Sequence, residues 1–187
     1  MLATWYGHVD TPGWAAIVVL SLVAIAQDFR SRRVPNWLVA AGVVLSVILI
    51  KLGGVQDLAY DWQDFWLGGA IAFACFLPLY ALGWMGAGDV KFFTVVGLLA
   101  GWHGLVAVWL VSSMISGLHA LAIMGLRQLD ASSPSAWIVM RVCPAIARWD
   151  TAQAGRRGIP YAAYMAIGLL SLPWVPSVMR MPWLPGM

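Results

Sequence analysis

The sequence has few charged residues for its length. Charged side chains make up 10% of the 187 residues, whereas hydrophobic side chains make up 61%. Soluble domains typically carry about 25% charged residues, so this chain lacks the charges that a water-facing surface needs. A lipid-facing surface does not need them. The composition therefore predicts an integral membrane protein in a single domain over residues 1–187, without a soluble second domain.

Other absences narrow the class of protein. The two cysteines, Cys75 and Cys143, are far apart and form no CxxC pair, so we expect neither a zinc site nor a disulfide framework. The net charge of +3 does not indicate nucleic-acid binding, because basic residues in membrane proteins mostly report orientation. No Lys or Arg precedes Arg30, so the basic region of a secretory signal is missing. We therefore expect the first apolar segment to be retained.

Six apolar stretches predict an all-α membrane bundle of about six transmembrane helices. They cover residues 13–27, 37–53, 65–84, 90–103, 105–124 and 160–178. Most approach the ~20 residues that cross a bilayer core. Each must be helical, because backbone groups in lipid have no water with which to pair. The fourth stretch is short, so we expect it to lean on its neighbours or to begin inside the membrane.

The basic residues predict the orientation of the bundle. If the segments alternate in direction, nine of the eleven Lys and Arg residues lie on one side, and Lys51 and Arg180 lie on the other. The positive-inside rule makes the side with nine basic residues cytoplasmic. The long loop 125–159 lies on that side, and its apolar stretch predicts a short interfacial helix or flap.

Two aspartates lie at the predicted cytoplasmic boundary. The chain has no glutamate, and most of its eight aspartates fall in loops. Asp28 follows the first apolar stretch, and Asp89, in GWMGAGDVKFF, precedes the fourth. Ionisable groups at membrane depth are costly, which makes this pair the first candidate for function.

The residues alone leave the chemistry of this pair open. Two carboxyl groups in a poorly solvated site can share one proton and act as an aspartic hydrolase, in which the ionised partner activates water. The alternatives are structural helix caps, or a proton relay in a small membrane transport or pilus/secretion assembly subunit. The helix dipole predicts that Asp89, at a helix start, is the ionised member, and the arginines after Asp28 oppose this.

Residues around the pair have possible roles in shaping the site. Gly86 and Gly88 permit close backbone approach, so an extended peptide could lie against their loop. Lys91 is either a partner for the charge of Asp89 or an anchor on the cytoplasmic side. Pro35 predicts a break between helices, and Asn36 is the predicted N-cap of the second helix.

Three segments make the chain similar to the prepilin peptidase family, the membrane aspartic proteases of the GxGD type. GAGDVK at 86–91 resembles the GxGD loop, and DFRSRRVPN at 28–36 resembles the first aspartate motif. GIPYAAYMAIG at 158–168 resembles the start of the last helix. The size and segment count resemble the short branch that serves Flp/Tad-type pilus systems.

This resemblance implies that Asp28 and Asp89 form a catalytic pair, that Gly86 and Gly88 shape the second motif, and that no metal or other cofactor takes part. It implies cleavage of the leader of a prepilin or pseudopilin, at the cytoplasmic face of the inner membrane, just before the substrate's apolar helix. The partners would be that helix and membrane lipid, without nucleic acid.

Larger members carry a CxxC-containing insert and also N-methylate the new terminus. The loop after the first segment is only about nine residues long here, which predicts a peptidase without methyltransferase activity.

Overall fold

The computed structural model describes residues 12–52, 62–128 and 160–174, and the described residues are helical without any strand. The helices are α1 Pro12–Ser31, α2 Asn36–Lys51, α3 Trp62–Ala81, α4 Ala87–Gln128 and α5 Tyr161–Ser171, followed by a 3₁₀ turn at Leu172–Trp174. The prediction for the loop 125–159 falls, from residue 129 onward, outside the described residues, as does Cys143.

The predicted fold class is confirmed for the described residues. Three helices are long and apolar enough to cross a membrane, namely α1, α3 and α4, and α2 and α5 are shorter apolar helices. α4 accounts for both the fourth and the fifth predicted segments. Large apolar side chains such as Val19, Trp66 and Phe73 are exposed along these helices, as expected for surfaces that face lipid.

The break inside α4 lies at Gly101, where φ is 65° and ψ is 174°. A non-glycine residue rarely adopts this left-handed φ, so glycine provides the kink that separates residues 87–100 from residues 102–128. The apolar stretches predicted the break slightly later, at residue 104.

Residues 87–100 of α4 form the centre of the helix packing. Nearly all side chains from Phe92 to Ala100 are buried, as are those of α5 from Ala162 to Ala166. The fourth predicted segment therefore leans on its neighbours, as its short length required. Two short helical segments, residues 87–100 of α4 and α5, are thus buried in the packing, and the starts of both lie next to the end of α1.

The crossing of α3 and α4 depends on two glycines. A Cβ atom at Gly97 would overlap the backbone carbonyl of Gly68, and one at Gly68 would overlap the carbonyl of Gly97. Small residues let two helix backbones approach this closely in a membrane. The contact fixes the position of residues 87–100 relative to α3.

The chain divides into two compact units. Residues 1–113 and 160–187 form the first, and residues 114–159 form the second. The site described below lies wholly in the first unit. The described part of the second unit is the last portion of α4.

Candidate active site

Asp28 lies in the last turn of α1 and is buried, with 3% of its surface exposed. The buried residues of α1 follow one face of the helix and end with Ser21, Ala24 and Asp28, which are three and four positions apart. This spacing places Asp28 on the helix face that packs inward, although its side chain is ionisable. A carboxyl group in such a position needs polar partners, since unpaired buried charge is strongly unfavourable.

The first turn of α5 supplies those partners. The backbone N–H of Ala163 donates a hydrogen bond of 2.9 Å to Oδ2 of Asp28. The backbone N–H of Ala162 also interacts with Asp28, and it interacts with Asp89 as well. The first N–H groups of a helix have no partner within the helix, and they favour a nearby negative charge. Because Pro160 precedes α5 and offers no side-chain cap, Asp28 of α1 caps α5 instead.

Asp89 lies in the first turn of α4 and is partly buried. Its backbone N–H donates to the carbonyl of Gly86 at 3.1 Å, which begins the helix. Its side chain folds back over the same glycine, since a Cβ atom at Gly86 would lie 3.3 Å from Oδ2 of Asp89. The carboxyl groups of Asp89 and Asp28 are close enough to interact electrostatically. The structure therefore brings together the two aspartates that the sequence selected.

The other predicted site residues hold the two loops against each other. A Cβ atom at Gly88 would contact the backbone N and the Cβ of Val34 at 3.4 Å, so the glycine-rich loop lies directly on the loop after α1. Lys91 donates a hydrogen bond of 3.1 Å from Nζ to Oδ1 of Asn36. This bond links the start of α4 to the start of α2. The predicted role of Gly86 and Gly88 against an extended peptide stays a prediction, as do the two alternatives for Lys91.

The predicted cap at Asn36 is wrong, whereas the predicted break at Pro35 is confirmed. Pro35 occupies the N-cap position of α2 in an extended conformation, with φ −69° and ψ 146°, and α2 has no side-chain cap hydrogen bond. Asn36 is the first helical residue. Its side-chain oxygen accepts the hydrogen bond of Lys91 and serves the contact between helices.

Two tyrosines of α5 were not selected from the sequence. Tyr164 is buried, packs edge-on against Phe29, and interacts electrostatically with Asp28. Tyr161 is partly buried, and its hydroxyl lies 3.2 Å from Oγ of Ser113. Tyr161 interacts electrostatically with Asp89. Each aspartate thus has a phenol nearby.

The spacing of these tyrosines was the available signal. Residues three apart in a helix share a face, and Tyr161 and Tyr164 stand three apart in GIPYAAY. The contribution of Ala162 and Ala163 had no such signal, because it comes from backbone N–H groups that every residue except proline carries.

Comparison with known proteins identifies the family. The family model of the type IV leader peptidases matches residues 15–121, a range that includes Asp28 and Asp89. The chain is 28% identical to a prepilin leader peptidase/N-methyltransferase of Aeromonas salmonicida over 91% of its own length and 53% of the relative. It is 27% identical to the protein of the same name from Aeromonas hydrophila, over 90% of the chain and 53% of that relative. The chain thus spans about half the length of these curated relatives. No solved structure matches it. The family match covers more than half of the chain, and the chain belongs to the type IV leader peptidase family.

Proposed function

We propose that this protein is a membrane aspartic endopeptidase that removes the N-terminal leader of prepilin-like proteins. The observation that carries the proposal is the meeting of Asp28 and Asp89, from two separate helices, at the N-terminus of a third. The two curated relatives are named as prepilin leader peptidases, which supports the choice of substrate.

The arrangement of the two carboxyl groups suits hydrolysis of an amide. Two carboxyl groups this close do not both ionise readily, so the pair holds one proton. The ionised carboxylate takes a proton from a water molecule, and the oxygen of that water attacks the carbonyl carbon of the scissile peptide. The protonated carboxyl group donates to the oxyanion that forms. When the tetrahedral intermediate collapses, the C–N bond breaks and the carboxyl group that took the proton of the water passes it to the leaving nitrogen. The other carboxylate takes its proton back from the hydroxyl group, so the products are a free amine and a carboxylic acid, and the pair again holds one proton.

The helix ends no longer favour one aspartate as the ionised member. Asp89 lies at the start of α4, where the helix dipole favours negative charge. Asp28 lies at the end of α1, but the N–H groups at the start of α5 also point towards it. The prediction from α1 and α4 alone therefore loses its basis, because each carboxyl group lies at the start of a helix.

Aspartates in these positions act on a peptide that lies near the membrane surface. Both are at helix ends, and Arg30, Arg33 and Lys91 lie at the same ends. By the positive-inside rule this side is cytoplasmic, so the substrate leader would be cut at the cytoplasmic face of the inner membrane. The segment that follows the cut would be an apolar helix in the lipid.

We propose a peptidase without methyl transfer and without a metal. The curated relatives carry both activities in their names, so methyl transfer is the activity that this proposal leaves out. Only residues 32–35 separate α1 from α2, and they include no cysteine. In the described ranges, no group of three or more His, Cys, Asp or Glu side chains is placed to hold a metal ion.

Co-expression with a prepilin tests the proposed function. A prepilin with a short basic leader is expressed with and without this protein, and its size is followed on a gel. Mass spectrometry of the product then locates the cut and reports whether the new terminal amine is methylated. We expect a shorter product with an unmodified amine. An unprocessed prepilin at normal membrane levels of both proteins would contradict the proposal and favour a transport or assembly role for the aspartates.

A further inference from the structure

Arg32 has an unusual backbone conformation beside the candidate site. Its φ is 53°, the only positive value for a non-glycine residue in the described part of the chain. Its N–H donates to the carbonyl of Asp28 at 2.9 Å and so ends α1. Glycine, or sometimes asparagine, is the usual residue at such a helix end, because other side chains are strained there. Strain of this kind clusters at functional sites, which points to a function for the Arg32 side chain.

The side chain of Arg32 points inward, unlike those of its basic neighbours. Arg30 and Arg33 are exposed, whereas Arg32 is partly buried and its Nε atom is fully buried. Its charge acts on Asp28 and on Tyr164. The left-handed conformation of Arg32 thus turns its side chain back towards Asp28.

Asp28 has several neighbours that act on its carboxyl group. The N–H of Ala163 occupies Oδ2, and Asp89 presents a second carboxyl group from α4. Tyr164 lies on the α5 side and is held in place, because its carbonyl accepts a hydrogen bond of 3.1 Å from Oγ of Ser112. Arg32 supplies the positive charge in this group. A nearby positive charge favours the ionised form of a carboxyl group, and the planar guanidinium of an arginine can hold such a group in a fixed orientation.

We propose that Arg32 is a positioning residue for the leader peptidase reaction. The guanidinium fixes the carboxyl group of Asp28 between α1 and α5, so that this group faces Asp89 across the attacking water. The positive φ of Arg32 at the end of α1 directs its side chain towards Asp28. This inference rests on the proposed function, since it assigns a role beside the same catalytic dyad, Asp28 and Asp89.

Variants at position 32 separate the role of the side chain from that of the turn. Arg32→Gln removes the charge and nearly keeps the length. Arg32→Gly removes the side chain and supports a positive φ without strain. Arg32→Lys keeps the positive charge but lacks the planar set of N–H donors of a guanidinium. Arg33→Gln is the matched control, because Arg33 is the exposed neighbour in the same loop. Each protein is purified in detergent, and kcat and KM for prepilin cleavage are measured per mole of folded protein.

We expect Arg32→Gln and Arg32→Gly to lower kcat by about 10- to 100-fold with KM near the wild-type value, as a misplaced catalytic group does. Arg32→Lys should recover part of the lost kcat, and Arg33→Gln should match the wild type. The proposal is overturned if Arg32→Gly keeps its kcat, if the loss lies in KM, or if Arg32→Lys is as slow as Arg32→Gln. Failure of the wild type to cleave would instead refute the proposed function, so the two failures are distinct.

Discussion

The backbone N–H of Ala163 donates a 2.9 Å hydrogen bond to Oδ2 of Asp28, so a side chain from α1 caps the helix α5. This bond joins the first aspartate motif to the start of α5, although 135 residues separate them in the chain. A residue that serves both catalysis and helix capping should affect stability as well as activity.

The cap predicts a difference between two substitutions of Asp28. Asp28→Asn keeps a side-chain oxygen that can accept the N–H of Ala163, whereas Asp28→Ala does not. Both remove the negative charge, so their difference reports the cap. We expect Asp28→Ala to be less stable than Asp28→Asn by about 1 kcal/mol, the usual cost of losing a helix cap. Thermal unfolding in one detergent measures this, and equal midpoints for the two variants would contradict the capping role.

The contact between Gly86 and Asp89 predicts an effect on turnover. Gly86→Ala would place a methyl group 3.3 Å from Oδ2 of Asp89, closer than such atoms usually lie. The carboxyl group must then move by a few tenths of an ångström. We expect kcat to fall by up to about 10-fold with the fold intact, because small displacements of a catalytic group are costly.

The matched control for this variant is Gly117→Ala in α4, where nothing lies within 4 Å of the added methyl group. Its kcat should equal that of the wild type. If Gly86→Ala has the same kcat as this control, the position of Asp89 does not depend on Gly86.

The crossing of α3 and α4 predicts a strong effect of a single methyl group. In Gly97→Ala the new Cβ would overlap the backbone of Gly68, and backbone cannot move aside as a side chain can. We expect a loss of about 1–3 kcal/mol in the free energy of unfolding, typical of overpacking. Gly117→Ala, in open space, should leave stability unchanged or raise it by up to about 1 kcal/mol through helix propensity. If Gly97→Ala and Gly117→Ala change the unfolding midpoint by the same amount, the close contact between Gly97 and Gly68 is contradicted.

The hydrogen bond between Lys91 and Asn36 predicts a small coupling energy. Both side chains are exposed, so the bond competes with water. In a double-mutant cycle with Lys91→Ala and Asn36→Ala, we expect a coupling of about 0.5 kcal/mol in the free energy of unfolding. Additive effects of the two substitutions would show that the bond contributes nothing to the packing of α2 against α4.

The sequence was sufficient for the features that depend on apolar length and on rare charged residues. Apolar stretches predicted the helices, and Pro35 predicted the break after α1. Asp28 and Asp89 were selected because carboxyl groups are costly at membrane boundaries. All of these features follow from the chemistry of individual side chains.

Features that depend on packing between distant segments were missed. The amides of Ala162 and Ala163 carry no mark in the sequence, and the dipole prediction for Asp28 considered only its own helix. Asn36 was assigned to capping because a local rule favours it there, but the hydrogen bond from Lys91 uses its oxygen. The break in α4 lies at Gly101 and not at residue 104, because the length of an apolar stretch does not show where the backbone adopts a positive φ.

The most direct test of the central claim is single-turnover cleavage of a prepilin by purified protein with Asp28→Asn, Asp89→Asn and, as a control, Asp64→Asn. Asp64 lies in the first turn of α3 and contacts His103, away from the dyad. We predict that each dyad variant loses at least about 10²-fold in rate, the contribution of a general acid or base. The Asp64 variant should cleave like the wild type. If a folded Asp28→Asn or Asp89→Asn variant cleaves at the wild-type rate, that aspartate takes no part in catalysis and the account is contradicted.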